Sequence, residues 1–478
     1  MKNKRNHMKM IILAAIICTS GLAKAQSKLL TLKDCIETGI KNNLDVMQRN
    51  LDAEAARANW QQSKANLYPD LNGNLTHGKN QGRSIDPFTN QYINQNVNFA
   101  NYSVNSGVVL FNGLRLVNTL KQRSLGLKAA EMDLQQQKDD LTIRILLTYL
   151  QVLRNQDQLV QARNQAALSE KQVERLAELD KQGAIAPALL TDLQGDLATN
   201  QLTILDVVNS VETSKIELAR LMNVPYVKGT ELEPLDPSMF SLEYGTTSEQ
   251  IYATALKNFS DVKASEFRLA SAAKGLKAAK GNLWPELSLN GNVSTNYSSA
   301  AFQNIFVNTT EVTTDSYVNF NGVKSPVIQP QDNYNSEELK FKKQLDNNLF
   351  SSFNLNLRIP IFNALQAKTQ VKLAAIQLKN NGYELNTVKV QLQQSIEQAY
   401  LNMITALDRY KTLVQQVDAY NKSFTAAEAK FNAGVGTSVD YLTAKNNLDR
   451  SNINLIQARY DYAIRTKVLD FYQGLKLY

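Results

Sequence analysis

Few residues in this 478-residue chain could do chemistry, and their spacing does not favour it. The two histidines, His7 and His77, lie far apart, and neither is flanked by Cys18 or Cys35. A His/Cys metal cluster cannot be assembled from that inventory. There is no Gly-x4-Gly-Lys-Ser/Thr loop to cradle ATP phosphates. Acids such as Glu37 and Asp45 have the spacing of solvated helix faces, not of an acid–base pair. The expectation is a protein that is not an enzyme, with no catalytic, cofactor or metal residue.

The most pointed polar group is a carboxylate beside a glycine turn. Gly434 and Gly436 permit a tight reversal between two helices, because glycine enters positive φ without penalty. Thr437 or Ser438 can cap the helix that follows. Asp440 then falls in its first turn, where the helix dipole favours a negative charge. Gly183 marks a second turn of the same kind.

The two turns belong to a duplication. LYPDLNGNLT at 67–76 returns as LWPELSLNGN at 283–292, an offset of 216. VVLFNGLRL at 108–116 returns as IPIFNALQA at 359–367, an offset of 251 that then holds without a gap. Gly183 meets Gly434, Leu197 meets Leu448 and Leu218 meets Leu469. A period above 200 residues is too long for a solenoid. The chain reads as two structural repeats, 26–230 and 248–478, joined by a linker at 231–247.

Residues 1–25 read as a signal peptide. Lys2, Lys4, Arg5 and Lys9 precede an apolar run from Met10 to Cys18, and Ala23-Lys24-Ala25 fits a small-x-small cleavage site. Ile16 and Ile17 are not the small residues that lipidation of Cys18 would require. Cleavage removes 5 of 52 basic residues and no acid, leaving 47 against 44 and a net charge of +3. That balance argues against nucleic acid as a partner. Cys35 alone would remain, so no internal disulfide is possible. The apolar run is shorter than the ~20 residues of a membrane helix.

Each repeat predicts helix, strand, loop, strand, very long helix, tight turn, helix. A helix is expected over 34–66 and strands over 69–79, 99–111, 285–297 and 350–362. On these strands Phe353, Leu355, Leu357, Ile359 and Ile361 share one face, while Asn354, Asn356 and Arg358 take the other. The polar stretches 81–98 and, roughly, 298–349 read as loops, and the second absorbs the 35 residues by which the two offsets, 251 and 216, differ. From 113 to 181 there is no proline, and nearly 70 residues make a rod on the order of 100 Å. Heptads run through it at Leu120, Leu127, Leu134 and Leu141, and after the turn at Leu190, Leu197, Ile204, Val211 and Leu218. Such spacing imposes a supercoil.

Strands of this length and alternation suit a tilted membrane barrel. Open sheet edges are not tolerated in lipid, so four strands cannot close alone. Two, three or four copies give 8, 12 or 16 strands. Eight fill with their own side chains, so a trimer of 12 is the smallest assembly with a channel. The fold class expected is mainly α with membrane β-strands, a trimeric 12-strand β-barrel continued by a long α-helical barrel. Two soluble β-hairpins would show a similar alternation.

From about Leu32 to Gly474 these parts resemble the TolC-type outer-membrane efflux proteins. TLKDCIETGIKNNLDV, with Asn42-Asn43, is similar to that family's opening helix. Tyr68-Pro69 and Trp284-Pro285 are similar to its strand entries. FNAGVGTSVDYLTAKNNLDRSNINLIQARYDYA, 431–463, resembles its second-repeat turn. In the first repeat Pro187 and Ala188 stand where a polar cap and an acid are expected. The resemblance implies a homotrimeric exit duct of a tripartite efflux or type I secretion system. It would sit in outer-membrane lipid and extend into the periplasm, passively serving an inner-membrane pump through a periplasmic adaptor protein. Gly183, Ala184, Gly434, Val435, Gly436 and Thr437 would form the tip that meets the adaptor.

The resemblance also implies a pore gate. The family carries acids at the position of Asp440 and one helical turn later, where this chain has Thr443. In the first repeat their counterparts are Leu189 and Asp192. Three copies would thus present six carboxylates at two levels, and like charges so close raise each other's pKa. An alternative is a periplasmic coiled-coil adaptor or a structural envelope protein. An adaptor would have one helical hairpin rather than two. A plain coiled coil leaves the strands unexplained.

Overall fold

The computed structural model describes residues 29–85, 90–94, 96–234 and 244–475. The expected signal peptide, Cys18 and most of the linker lie outside those residues. The first repeat runs α1 (Leu32–Asn42), α2 (Leu44–Ala65), β1 (Asn72–Asn80), β2 (Arg83–Ile85), β3 (Tyr92–Asn94), β4 (Val97–Phe111), α3 (Arg115–Lys181) and α4 (Pro187–Met222). The second runs α5 (Ser248–Asn258), α6 (Ser260–Gly281), β5 (Glu286–Ser298), β6 (Phe302–Phe320), β7 (Val323–Glu338), α7 (Phe341–Asn347), β8 (Phe350–Arg358), α8 (Gln366–Asn432) and α9 (Ser438–Gln473).

The duplication is kept residue for residue in the helices. α3 and α8 each have 67 residues, and α4 and α9 each have 36. The single helix expected over 34–66 is two. The break is at Asn43, whose extended backbone (φ −68°, ψ 127°) ends α1. Its side-chain oxygen accepts from the amides of Asp45 (3.0 Å) and Val46 (3.3 Å), which starts α2. One residue thus satisfies donors that helix initiation leaves open. Phe259 makes the matching break between α5 and α6.

Two compact units draw on both repeats. The first takes the described residues up to Ala56, Leu125–Leu269, and those from Asn380 onward. Its cores take in Leu127, Leu141, Val211 and Leu218 of the predicted stripes. The second repeat buries residues seven apart in the same way, Leu385 with Leu392 and Tyr462 with Leu469, along with Tyr441. Each such side chain contributes roughly 1.5–3 kcal/mol of burial, well above helix propensity differences. The segment at Leu30 pairs with Leu232, and the buried Tyr149 hydroxyl donates to the carbonyls of Leu30 (3.0 Å) and Glu233 (2.7 Å).

The second unit comprises Arg57–Ser124 and Ala270–Lys379. Its main sheet has four antiparallel strands in the order β1-β4-β5-β8, leaving β1 and β8 as free edges. Leu289 pairs with Val108 and Leu355, and Val293 with Val104 and Ser351, on one face. Asn292 pairs with Asn105 and Ser352 on the other. The strand expected over 350–362 stops at Arg358, and Ile359 and Ile361 lie beyond it. Pro360 occupies the place of Val109 in the first repeat, and a proline has no N–H for the ladder.

The expected loop over 298–349 is largely regular structure. β6 and β7 form a long two-stranded hairpin, and α7 follows it. Its counterpart in the first repeat is the short β2–β3 pair, three residues a strand. Pro326 and Pro330 both fall on β7, where a strand at a sheet edge tolerates them.

Candidate functional site: the paired hairpin turns

The site is built from the two helical turns. α3 ends in a Schellman motif: Gly183 has φ +70°, its amide bonds Asp180 O (2.8 Å), and the Ala184 amide bonds Leu179 O (2.9 Å). α8 repeats it, with Gly434 at φ +75°, its amide on Phe431 O (3.1 Å) and the Val435 amide on Lys430 O (3.1 Å). The Gly436 amide shares that carbonyl at 3.1 Å.

The helices that follow begin differently. Thr437 is the cap of α9, and its hydroxyl oxygen accepts from the Asp440 amide at 3.1 Å. The same hydroxyl donates to the Asp440 carboxylate at 2.8 Å, which fixes that exposed side chain at the helix start. In α4 the cap position is Ala186, one residue before the expected Pro187, and it has no side-chain bond. Pro187 compensates at the first helical position, where its φ is already helical.

The two turns touch. Ser438 Oγ donates to Asp192 Oδ2 at 3.4 Å, bringing the first turn of α9 against the second turn of α4. Asp192, Asp440 and Thr443 are exposed. Leu189, the counterpart of Asp440, packs instead on a core of Leu176, Leu193, Phe424, Phe431 and Tyr441. Phe431 stacks on Tyr441 with ring centroids 4.7 Å apart. The first repeat thus gives up the acid to an apolar contact. Arg175 of α3 also donates to the Asn432 side chain and, at 3.1 Å, to its carbonyl.

Beside this core lies a polar hub with no counterpart in the expected site. Lys445 is 1% exposed, with its ammonium 3.2 Å from Asp196 and 2.9 Å from Asp449. Ser169 Oγ (2.8 Å) and Asn200 Nδ2 (3.1 Å) donate to the same Asp196 oxygen. Burial pushes the Asp449 carboxyl up, against the pull of Lys445. One buried cation thus holds α9 to α4, and Asp196 ties α4 to α3 through Ser169. Among the described residues no cluster of His, Cys, Asp and Glu could hold a metal, and no helix is long and apolar enough to cross a membrane.

The model of the outer membrane efflux proteins matches residues 36–224 and 251–474, most of the chain. The chain belongs to the outer membrane efflux protein family. It is similar to outer membrane protein TolC of Vibrio cholerae, 24% identical over 410 residues, 84% of this chain and 81% of that one. Among solved structures, VceC of Vibrio cholerae superposes with a TM-score of 0.72 at 13% identity, over 94% of this chain and 97% of that one. The Campylobacter jejuni CmeC channel gives 0.73 at 15%, over 93% and 85%. This outer membrane efflux protein is therefore an exit duct, a channel by family and fold. It resides in the outer membrane and extends into the periplasm. The lipid-suited alternation of the sheet and the doubled helical hairpin match that assignment. An adaptor's single hairpin does not.

Proposed function

We propose that three copies of this efflux protein close a 12-strand barrel and conduct cargo passively from an inner-membrane pump through a periplasmic adaptor. The observation that carries this is the four-stranded sheet, open at β1 and β8, with one exposed apolar face. Phe353 (80% exposed), Leu355 (64%) and Leu357 (58%) would cost heavily in water and suit hydrocarbon. The strands alternate in direction, so β8 of one copy meets β1 of the next antiparallel, and the ring closes without an edge. Eight strands would leave no lumen, whereas twelve do.

In this reading Gly183, Ala184, Gly434, Val435, Gly436 and Thr437 form the surface that meets the adaptor. Asp440 and Asp192, with Thr443 beside them, ring the pore as a cation-selective gate. The fixed Asp440 rotamer and the Ser438–Asp192 contact support that role, because they place acids from both repeats at the paired turns. The test has two parts. A heat-resistant trimer should be recovered from outer membranes, and soluble monomer in the periplasm would refute the barrel. In planar bilayers Asp440→Asn with Asp192→Asn should lose divalent-cation block, and unchanged block would refute the gate.

A further inference from the structure

The polar face of the main sheet is built of amides. In register across three strands lie Asn72, Asn105 and Asn292, and beside them Asn290 opposite Asn354. Over the paired positions of that face asparagine occurs ten times and threonine once, at Thr76. Strand preference cannot explain this choice. Asparagine is depleted in strands and threonine is enriched, so a face needing only polarity would use threonine. Charged side chains on the paired positions of that face are confined to one end, where Glu286 faces Arg358 in register and takes a 2.9 Å bond from Arg115. Asp70, just before β1, spends its oxygens on the Gly107 amide (2.6 Å) and Asn72 Nδ2 (3.0 Å).

Asn72, Asn105, Asn290, Asn292 and Asn354, together with Ser106, two glycines and the Asp70 carboxylate at the rim of β1, line a concavity of about 320 Å³. A primary amide offers two donors and one acceptor without net charge. That set matches hydroxyl groups, which also donate and accept, and the one carboxylate present, Asp70, is already engaged by the Gly107 amide and Asn72. We propose that the amide concavity is a binding site for uncharged, hydroxyl-rich cargo such as oligosaccharide. This rests on the reading that the polar face lines the barrel lumen.

The test uses the full-length protein in planar bilayers with maltohexaose added from the barrel side. The sugar should interrupt the current in a concentration-dependent way. Asn105→Thr with Asn292→Thr keeps polarity and improves strand preference, so the channel should form with the same conductance. Its apparent affinity for the sugar should fall by about tenfold, as expected for several lost hydrogen bonds. Conductance steps without sugar block would overturn this inference alone, as would equal block in the variant. Block by a neutral peptide but not by the sugar would overturn it too. Absence of any conductance would overturn the duct reading beneath it.

Discussion

Lys445 of the second repeat lies 3.2 Å from Asp196 of the first, and the ammonium is almost wholly shielded from water. Removing only the cation would leave two largely shielded carboxylates facing each other, with Asp196 held only by Ser169 and Asn200. Lys445→Met should therefore destabilise the protein by about 3–5 kcal/mol, read from urea denaturation in detergent. Adding Asp196→Asn and Asp449→Asn should recover most of that loss. If the single variant were as stable as wild type, the hub would not bind the hairpins together.

The same hub predicts a pH dependence. Burial raises Asp449 above its unfolded value. Between the two values the folded state holds a proton that the unfolded chain has released, so stability falls as pH rises through the raised pKa. Asp449→Asn should flatten this part of the stability–pH curve above the ordinary carboxylate range. Parallel curves for wild type and variant would contradict the assignment.

The unequal caps of the two turns give opposite outcomes. Thr437→Ala should cost about 1 kcal/mol and speed hydrogen exchange at the Asp440 amide. Ala186→Ser supplies an oxygen that α4 lacks and should slow exchange in its first turn. Mass spectrometry of the two turn peptides checks both.

Asn43 combines a cap with a tie, its Nδ2 donating to Leu221 O at 3.2 Å. Asn43→Ala should cost about 1–2 kcal/mol, because both functions go. Asn43→Asp keeps the cap and should retain about half of that stability. Thermal melting of the two variants separates the roles.

Much of this was legible because long periodic signals are hard to mimic. The 251-residue offset that joins Gly183 to Gly434 fixes both turns, and the stripe from Leu190 to Leu218 marks the inward side of α4, where Val211 and Leu218 are buried and Leu190, Leu197 and Ile204 half-buried. Short-range signals misled. Asn43 does not look like a helix break, since asparagine is tolerated inside helices and only its side-chain bonds show the cap. The β6–β7 hairpin was hidden because its Asn and Thr residues blur the alternation of polar and apolar positions. Lys445 and Asp449 have the four-residue spacing of an ordinary solvated helix pair. The place of Lys445 on the buried stripe, four residues after Tyr441 and three before Leu448, was the available warning. Asp196 gave no such sign, because its repeat counterpart is Asn447 and the hub does not follow the duplication.

The matched helices, 67 residues against 67 and 36 against 36, have an evolutionary consequence. A residue inserted in one helix rotates everything beyond it by ~100° and shifts it by ~1.5 Å against an unaltered sister. A periplasm of different width can therefore be met only by coordinated insertions, the same number of whole heptads in all four helices at once. Such changes arise rarely by single events. The helical span should drift far more slowly among relatives than the β6–β7 hairpin, which can change length without altering the register of any helix.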